Sequence, residues 1–226
     1  MAVIHKTTLV PGKLALLKSW LPAQPWYLAS GREPELVRAG GFRLDDPDGE
    51  VGIEFAVVTD TSGGEAVAYQ VPLTYRGSAC ADAGDGLIGT AAHGVLGRRW
   101  IYDGTHDQVL VAQLAALIQG RAQAQAQSES NTPDPTVDSQ PVMGTSLDVT
   151  GSSVAANGPG GTDLRITAAD ATGTMAGHLL VRVVRVLRPG GSPGVAAGWQ
   201  PCLAAAWRLP DGIQVRGTFA AARRQA

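Results

Sequence analysis

The chain has 226 residues, 44% hydrophobic and 17% charged, with a formal net charge of −2. This composition supports a buried core, excludes disorder over most of the length, and suits one large domain or two small ones. The balanced charge offers no broad basic field for nucleic acid or an anionic membrane.

No apolar run approaches the ~18 residues that a membrane helix needs. The opening M-A-V-I-H-K-T-T-L-V-P-G has neither the apolar core nor the cleavage site of a signal peptide. Cys80 and Cys202 stand far apart with no C-x-x-C. A soluble, cytoplasmic protein with reduced thiols is the expectation.

The first predicted element is a short helix over residues 12–21, where Leu14, Leu17 and Leu21 recur at helical spacing. Pro22 and Pro25 end it. An edge strand is expected over 39–44. D-D-P-D-G-E at 45–50 is turn chemistry, and it lacks the longer loop of a calcium site. Strands follow at 51–59 and 66–76, with Pro72 marking an edge or a bulge in the second. A further strand over 95–102 completes an antiparallel meander. The Gly-rich stretch 89–97 lacks the Lys-Ser/Thr ending of a phosphate loop. Residues 106–121 read as an amphipathic helix with Val109, Leu110, Leu114, Leu117 and Ile118 on one side.

The composition then breaks. An Ala/Gln tail gives way near Ser128 to a polar, Pro-containing stretch, S-E-S-N-T-P-D-P-T-V-D-S-Q-P. The expected organisation is residues 1–127 as a first domain, 128–141 as a linker, and 142–226 as a β-rich domain or an extension of the first sheet. Strands are expected at 146–150, 162–168, 178–187, 203–209 and 212–220. L-P-D-G at 209–212 signals a hairpin. In H-L-L-V-R-V-V-R-V-L-R the alternation breaks between Val183 and Val184, which predicts a bulge or a change of face.

The densest chemistry lies in W-I-Y-D-G-T-H-D-Q-V-L-V-A-Q-L at 100–114. Here a strand turns through Tyr102, Asp103, His106 and Asp107 into a helix. Asp103 or Asp107 with His106 would make an acid/base pair. Equally, Thr105 or Asp107 would cap the helix, its negative charge suiting the N-terminus. The capping role is preferred, because there is no G-x-S-x-G elbow and no convincing cysteine context. The histidines His5, His93, His106 and His178 are scattered without i,i+4 spacing, so neither metal nor cofactor is expected. Trp26 and Tyr27, beside Trp20, are candidates to stack on a sugar or anchor a partner, against the alternative of a hydrophobic plug at one end of the sheet.

Three segments in this order carry a family resemblance: L-P-A-Q-P-W-Y at 21–27, Y-Q-V-P-L-T-Y-R at 69–76, and Y-D-G-T-H-D-Q-V-L-V-A-Q-L at 102–114. Together they resemble the N-terminal cap domain of actinobacterial maltokinases and related sugar kinases. The resemblance covers about the first half of the chain. It implies an α+β fold: a curved, cystatin-like antiparallel sheet packed by helices, followed here by a β-rich C-terminal unit. The family motif commonly runs Q-R-W-F/Y-x-x-K, whereas Pro25 stands at its arginine position and Ser30 near its lysine position.

A kinase's catalytic H-x-D loop, D-F-G-like metal segment and ATP-binding lysine context are not in this sequence. The resemblance therefore implies a cap without kinase lobes: a non-catalytic accessory or regulatory protein of maltose, trehalose or glycogen metabolism. Its expected partner is a sugar kinase or glucan-processing enzyme. The alternative is a carbohydrate-binding module with a glucan ligand, using Trp26, Tyr27 and the 102–107 knot. An enzyme built on Asp103, His106 and Asp107 ranks last. No nucleic-acid or membrane partner is expected, and long β-edges in the second half suit a homo-oligomer.

Overall fold

Alternation and turn chemistry along the chain produce fourteen strands and two helices in the computed structural model, which describes residues 8–129, 131–142, 148–169, 175–190 and 198–225. The first half holds β1 (Leu9–Val10), α1 (Lys13–Trp20), β2 (Leu36–Leu44), β3 (Gly52–Asp60), β4 (Val67–Arg76), β5 (Leu87–His93), β6 (Gly97–Asp103) and α2 (Gln108–Ile118). The second half holds β7 (Gln125–Ala126), β8 (Asp138–Ser139), β9 (Asp148–Gly158), β10 (Gly161–Ala169), β11 (Met175–Val183), β12 (Val186–Leu187), β13 (Gln200–Arg208) and β14 (Gln214–Gln225). The result is mostly antiparallel sheet with few helices, a β-rich α+β fold. No helix among the described residues is long and apolar enough to cross a membrane.

All the strands belong to one sheet, ordered β1-β5-β6-β4-β3-β2-β13-β14-β11-β10-β9 along its main path. The second half therefore continues the sheet of the first. Trp207 of β13 pairs with Gly40 of β2, and β8, inside the stretch expected as a linker, pairs with β13. The chain also returns to the meander. Two residues after β11 it forms β12, which pairs with β4 at Val186↔Tyr69 and Leu187↔Ala68. Pairing thus runs β4-β3-β2-β13-β14-β11 and closes back on β4 through β12. The break in alternation at Val183–Val184 marks this crossing: the Val184 amide still donates to Phe219 O of β14, and the next carbonyl, Arg185 O, accepts from Gln70 of β4.

Both faces of β3 and β4 are covered, which is why β3 reads as a nearly continuous apolar run. On one face Ile53, Phe55 and Val57 join a core with Leu110 and Leu114 of α2 and with Leu164, Val181, Trp207 and Phe219 of the second half. On the other, Ala56 and Val58 pack with Leu17, Leu21, Trp26, Tyr69 and Val71. Helix α2 is apolar on most sides and buries seven residues, as a helix set within a core must.

The A-G-G-F of β2 is needed where strands approach closely. Gly41 has φ +125°, and a Cβ there would lie 2.1 Å from Phe55 O.

Several boundaries differ from the sequence reading. The strand expected from residue 95 begins at Gly97, because residues 94–96 form the β5–β6 hairpin turn. Pro72 lies in an interior strand rather than at an edge, opposite Phe55 of β3. It is tolerated because its missing N–H falls where β4 has passed β12 and has not yet met β6, whose pairing starts at Leu73. The long strand expected at 178–187 is divided into β11 and β12. Residues 146 and 147 of another expected strand, and His5, lie outside the described residues. The L-P-D-G hairpin forms, with Leu209 and Ile213 bonded across it at 2.9 Å.

Candidate functional site

β6 ends at Asp103, and the chain then tightens into a single turn of 3-10 helix, Gly104–His106, before α2 begins. The turn packs hard against the helix: a Cβ on Gly104 would stand 2.2 Å from Leu110 Cδ1. Asp103 caps it. Its Oδ1 accepts from the Thr105 amide at 3.1 Å and the Thr105 hydroxyl at 2.8 Å. Asp107 caps α2, with Oδ1 accepting from the Val109 amide at 3.0 Å.

Each carboxylate also holds an arginine. Arg76, at the end of β4, clasps Asp107 through Nε at 2.6 Å and Nη2 at 2.7 Å. Burial alone would raise the Asp107 carboxyl, but the Arg76 guanidinium and the Val109 amide hold it below the ordinary carboxylate range.

Arg185 comes from the crossing between β11 and β12 and is fully buried. Its Nη2 donates to Asp103 Oδ2 at 2.5 Å and to Thr105 Oγ1 at 3.1 Å, and its Nε donates to Thr162 Oγ1 at 2.8 Å. The guanidinium carbon lies 5.0 Å from the centre of the Trp26 ring. Arg185 thereby joins two of the sequence-predicted residues, Trp26 and Asp103, to the C-terminal strands.

The remaining candidates are placed by the same packing. Tyr102 is buried, and its hydroxyl accepts from the Cys80 amide at 2.8 Å. The half-buried His106 packs its Cβ against Gly86, and both neighbouring carboxylates are bonded to arginines rather than to its ring. Trp26 is 1% exposed, wedged between Trp20 and Tyr69 with ring centres 5.8 and 5.9 Å away, so it presents no face on which a dissolved sugar can stack. Tyr27 donates its hydroxyl to Asp60 Oδ2 at 2.7 Å, and burial together with that carboxylate pushes the phenol up. Cys80 and Cys202 are both free thiols, and burial pushes the latter up to about 12.

Sequence reasoning missed Arg76, Arg185 and a second buried polar group, Glu54. Glu54 accepts from Lys13 Nζ, from Tyr75 Oη at 2.7 Å and from Gln127 Nε2 at 2.5 Å. The signal for Arg185 was present: an arginine set among valines in an apolar strand demands a buried acidic partner.

A shallow groove of about 450 Å³ runs beside the start of α2, lined by Asp48, Gln108, Gln113, Thr150 and neighbouring apolar groups. Gln108 is engaged there, exchanging 2.8 Å hydrogen bonds with Ser152 of β9.

This architecture defines a β-rich α+β module whose strand–turn–helix junction is stabilised by capping carboxylates and arginines. The family described as the maltokinase N-terminal cap domain matches residues 20–107, from the last residue of α1 to the cap of α2. Over that span the chain carries a maltokinase N-terminal cap-like domain. No curated protein matches the chain.

Proposed function

We propose that this protein is a non-catalytic accessory or regulatory partner of an enzyme of maltose, trehalose or α-glucan metabolism, acting on a sugar kinase or glucan-processing enzyme through protein contact. The observation that carries this reading is the commitment of the knot. Asp103 and Asp107 are buried, each bonded to an arginine and to a backbone amide. A carboxylate so held is poorly placed to move a proton during a reaction. The cap portion is read as cystatin-like, supported by α2 sharing a core with the antiparallel strands β2 and β3.

The test is to mix the purified protein with a purified maltose-phosphorylating kinase and follow sedimentation and kinase rate. Co-sedimentation with an altered rate is expected. Neither association nor a rate change with any sugar kinase or glucan enzyme would remove the proposal.

A second reading, glucan binding, is supported by the groove beside α2 rather than by Trp26. Calorimetry with maltose, trehalose and glycogen on wild type and Gln113→Ala tests it. Heat that disappears in the variant supports this reading, and no heat with any glucan ends it.

A further inference from the structure

In the C-terminal strands, alternation sorts side chains cleanly onto two faces. Leu164 and Ile166 of β10, Leu179 and Val181 of β11, and Ala220 and Ala222 of β14 point into the main core. The opposite face carries two cross-strand rows. Arg165, Leu180 and Arg223 lie directly opposite one another across β10, β11 and β14, and Asp163, Arg182 and Ala221 form the row beside them.

Four arginines of this half have carboxylate partners: Arg182 with Asp163, Arg185 with Asp103, Arg188 with Glu65 and Arg216 with Asp138. Arg165 and Arg223 are exposed and have none among the described residues. Two unneutralised cations therefore flank Leu180, with backbones ~10 Å apart across two strand spacings. Arg223 is also oriented. Its guanidinium carbon lies 4.6 Å from the centre of the Trp199 ring, and that of Arg182 lies 4.4 Å from it. Stacking occupies the flat face of a guanidinium and leaves its N–H edge to donate. Trp199, Leu180 and Ala221 form a small apolar cluster of their own beneath these cations.

We propose that this outer face of β10, β11 and β14 is a docking surface for an acidic segment of a partner protein, with Arg165 and Arg223 receiving its carboxylates. A pleated sheet face favours a protein surface over a small anion, because small-ligand sites are concave. Arginine beside tryptophan is also the composition of energetic centres in protein interfaces. The inference deepens the accessory role by giving the partner a charge, and it rests on that reading only in requiring a protein partner.

The experiment uses the full chain and a fluorescent poly-glutamate peptide, followed by anisotropy at low and physiological salt. Wild type binds and weakens as salt rises. Arg165→Glu/Arg223→Glu loses at least ~10-fold in affinity, as does Arg165→Glu alone in direction, a residue that leaves the Trp199 stack untouched. Arg98→Glu/Arg99→Glu, on β6 in the other half, binds as wild type. No binding by wild type, equal loss in both double variants, or displacement by inorganic phosphate as readily as by peptide would overturn the proposal. Recovery of a sugar kinase by wild type and Arg165→Glu/Arg223→Glu alike would refute this surface and leave the accessory role standing. Peptide binding without any kinase or glucan enzyme would do the reverse.

Discussion

Arg185 and Asp103 are 82 positions apart in sequence and 2.5 Å apart in space. One belongs to the C-terminal strands and the other to the cap-like span, so the pair ties the two together inside the core. A buried pair of this kind need not exceed a hydrophobic substitute in stability, but an unpaired member is costly.

That tie predicts that residues 1–127 alone lose cooperativity. The fragment would lack Arg185 beneath Trp26, β13 beside β2, and Leu164, Val181 and Phe219 from the shared core. Denaturant titration followed by tryptophan fluorescence should show one sharp transition for the full chain and a broad, shallow one for the fragment. A fragment that unfolds as sharply as the full chain would refute the prediction.

The turn after β6 has no space for a methyl group. Gly104→Ala places a Cβ against Leu110 and should cost ~1–3 kcal/mol of stability, as overpacking does. The urea midpoint measures it. A midpoint equal to that of wild type would mean the turn relaxes freely.

Stability should fall on the acid side. Burial alone would raise Glu54, Asp60 and Asp107, but Lys13, the Ser62 amide and Arg76 respectively hold them below the ordinary carboxylate range. The unfolded carboxylates take up protons first, so their contribution is complete above about pH 4 and is lost as the pH falls through the folded values. Unfolding free energy measured between neutral and acid pH should decline in that window. Asp107→Asn should show a shallower decline.

Trp26 and Tyr27 should separate in a stability assay. Trp26→Ala empties a fully buried site against Tyr69 and Arg185 and should cost ~3–5 kcal/mol. Tyr27→Phe removes one hydrogen bond from Asp60, which keeps the amides of Glu35 and Ser62, and should cost ~1 kcal/mol. Thermal and urea unfolding check both. Equal effects would contradict the burial difference between the two rings.

Local physics made much of this legible in advance. Apolar spacing located both helices and the meander, and Asp-Gly chemistry located the β13–β14 hairpin. Turn chemistry also identified D-D-P-D-G-E, where Asp46 accepts from the Glu50 and Val51 amides. The capping reading of Asp107 rested on its place before an apolar helix, and that is where it acts. Long-range choices were not legible. Alternation records that a strand has two faces but not which strand pairs with it, so the union of β13 with β2 and of β12 with β4 left no mark beyond the break at Val183–Val184. Trp26 offered the same ambiguity: an aromatic after a Pro-rich turn reads alike whether it meets solvent or the guanidinium of Arg185.

The most direct test of the knot as a joint rather than a reaction centre is a double-mutant cycle on Arg185→Met and Asp103→Leu, read by urea unfolding. Each single variant should lose ~3–5 kcal/mol by leaving a buried charge unpaired. The double variant should lose much less than the sum, because neither charge remains. Single losses below ~0.5 kcal/mol, or losses that simply add, would contradict the account.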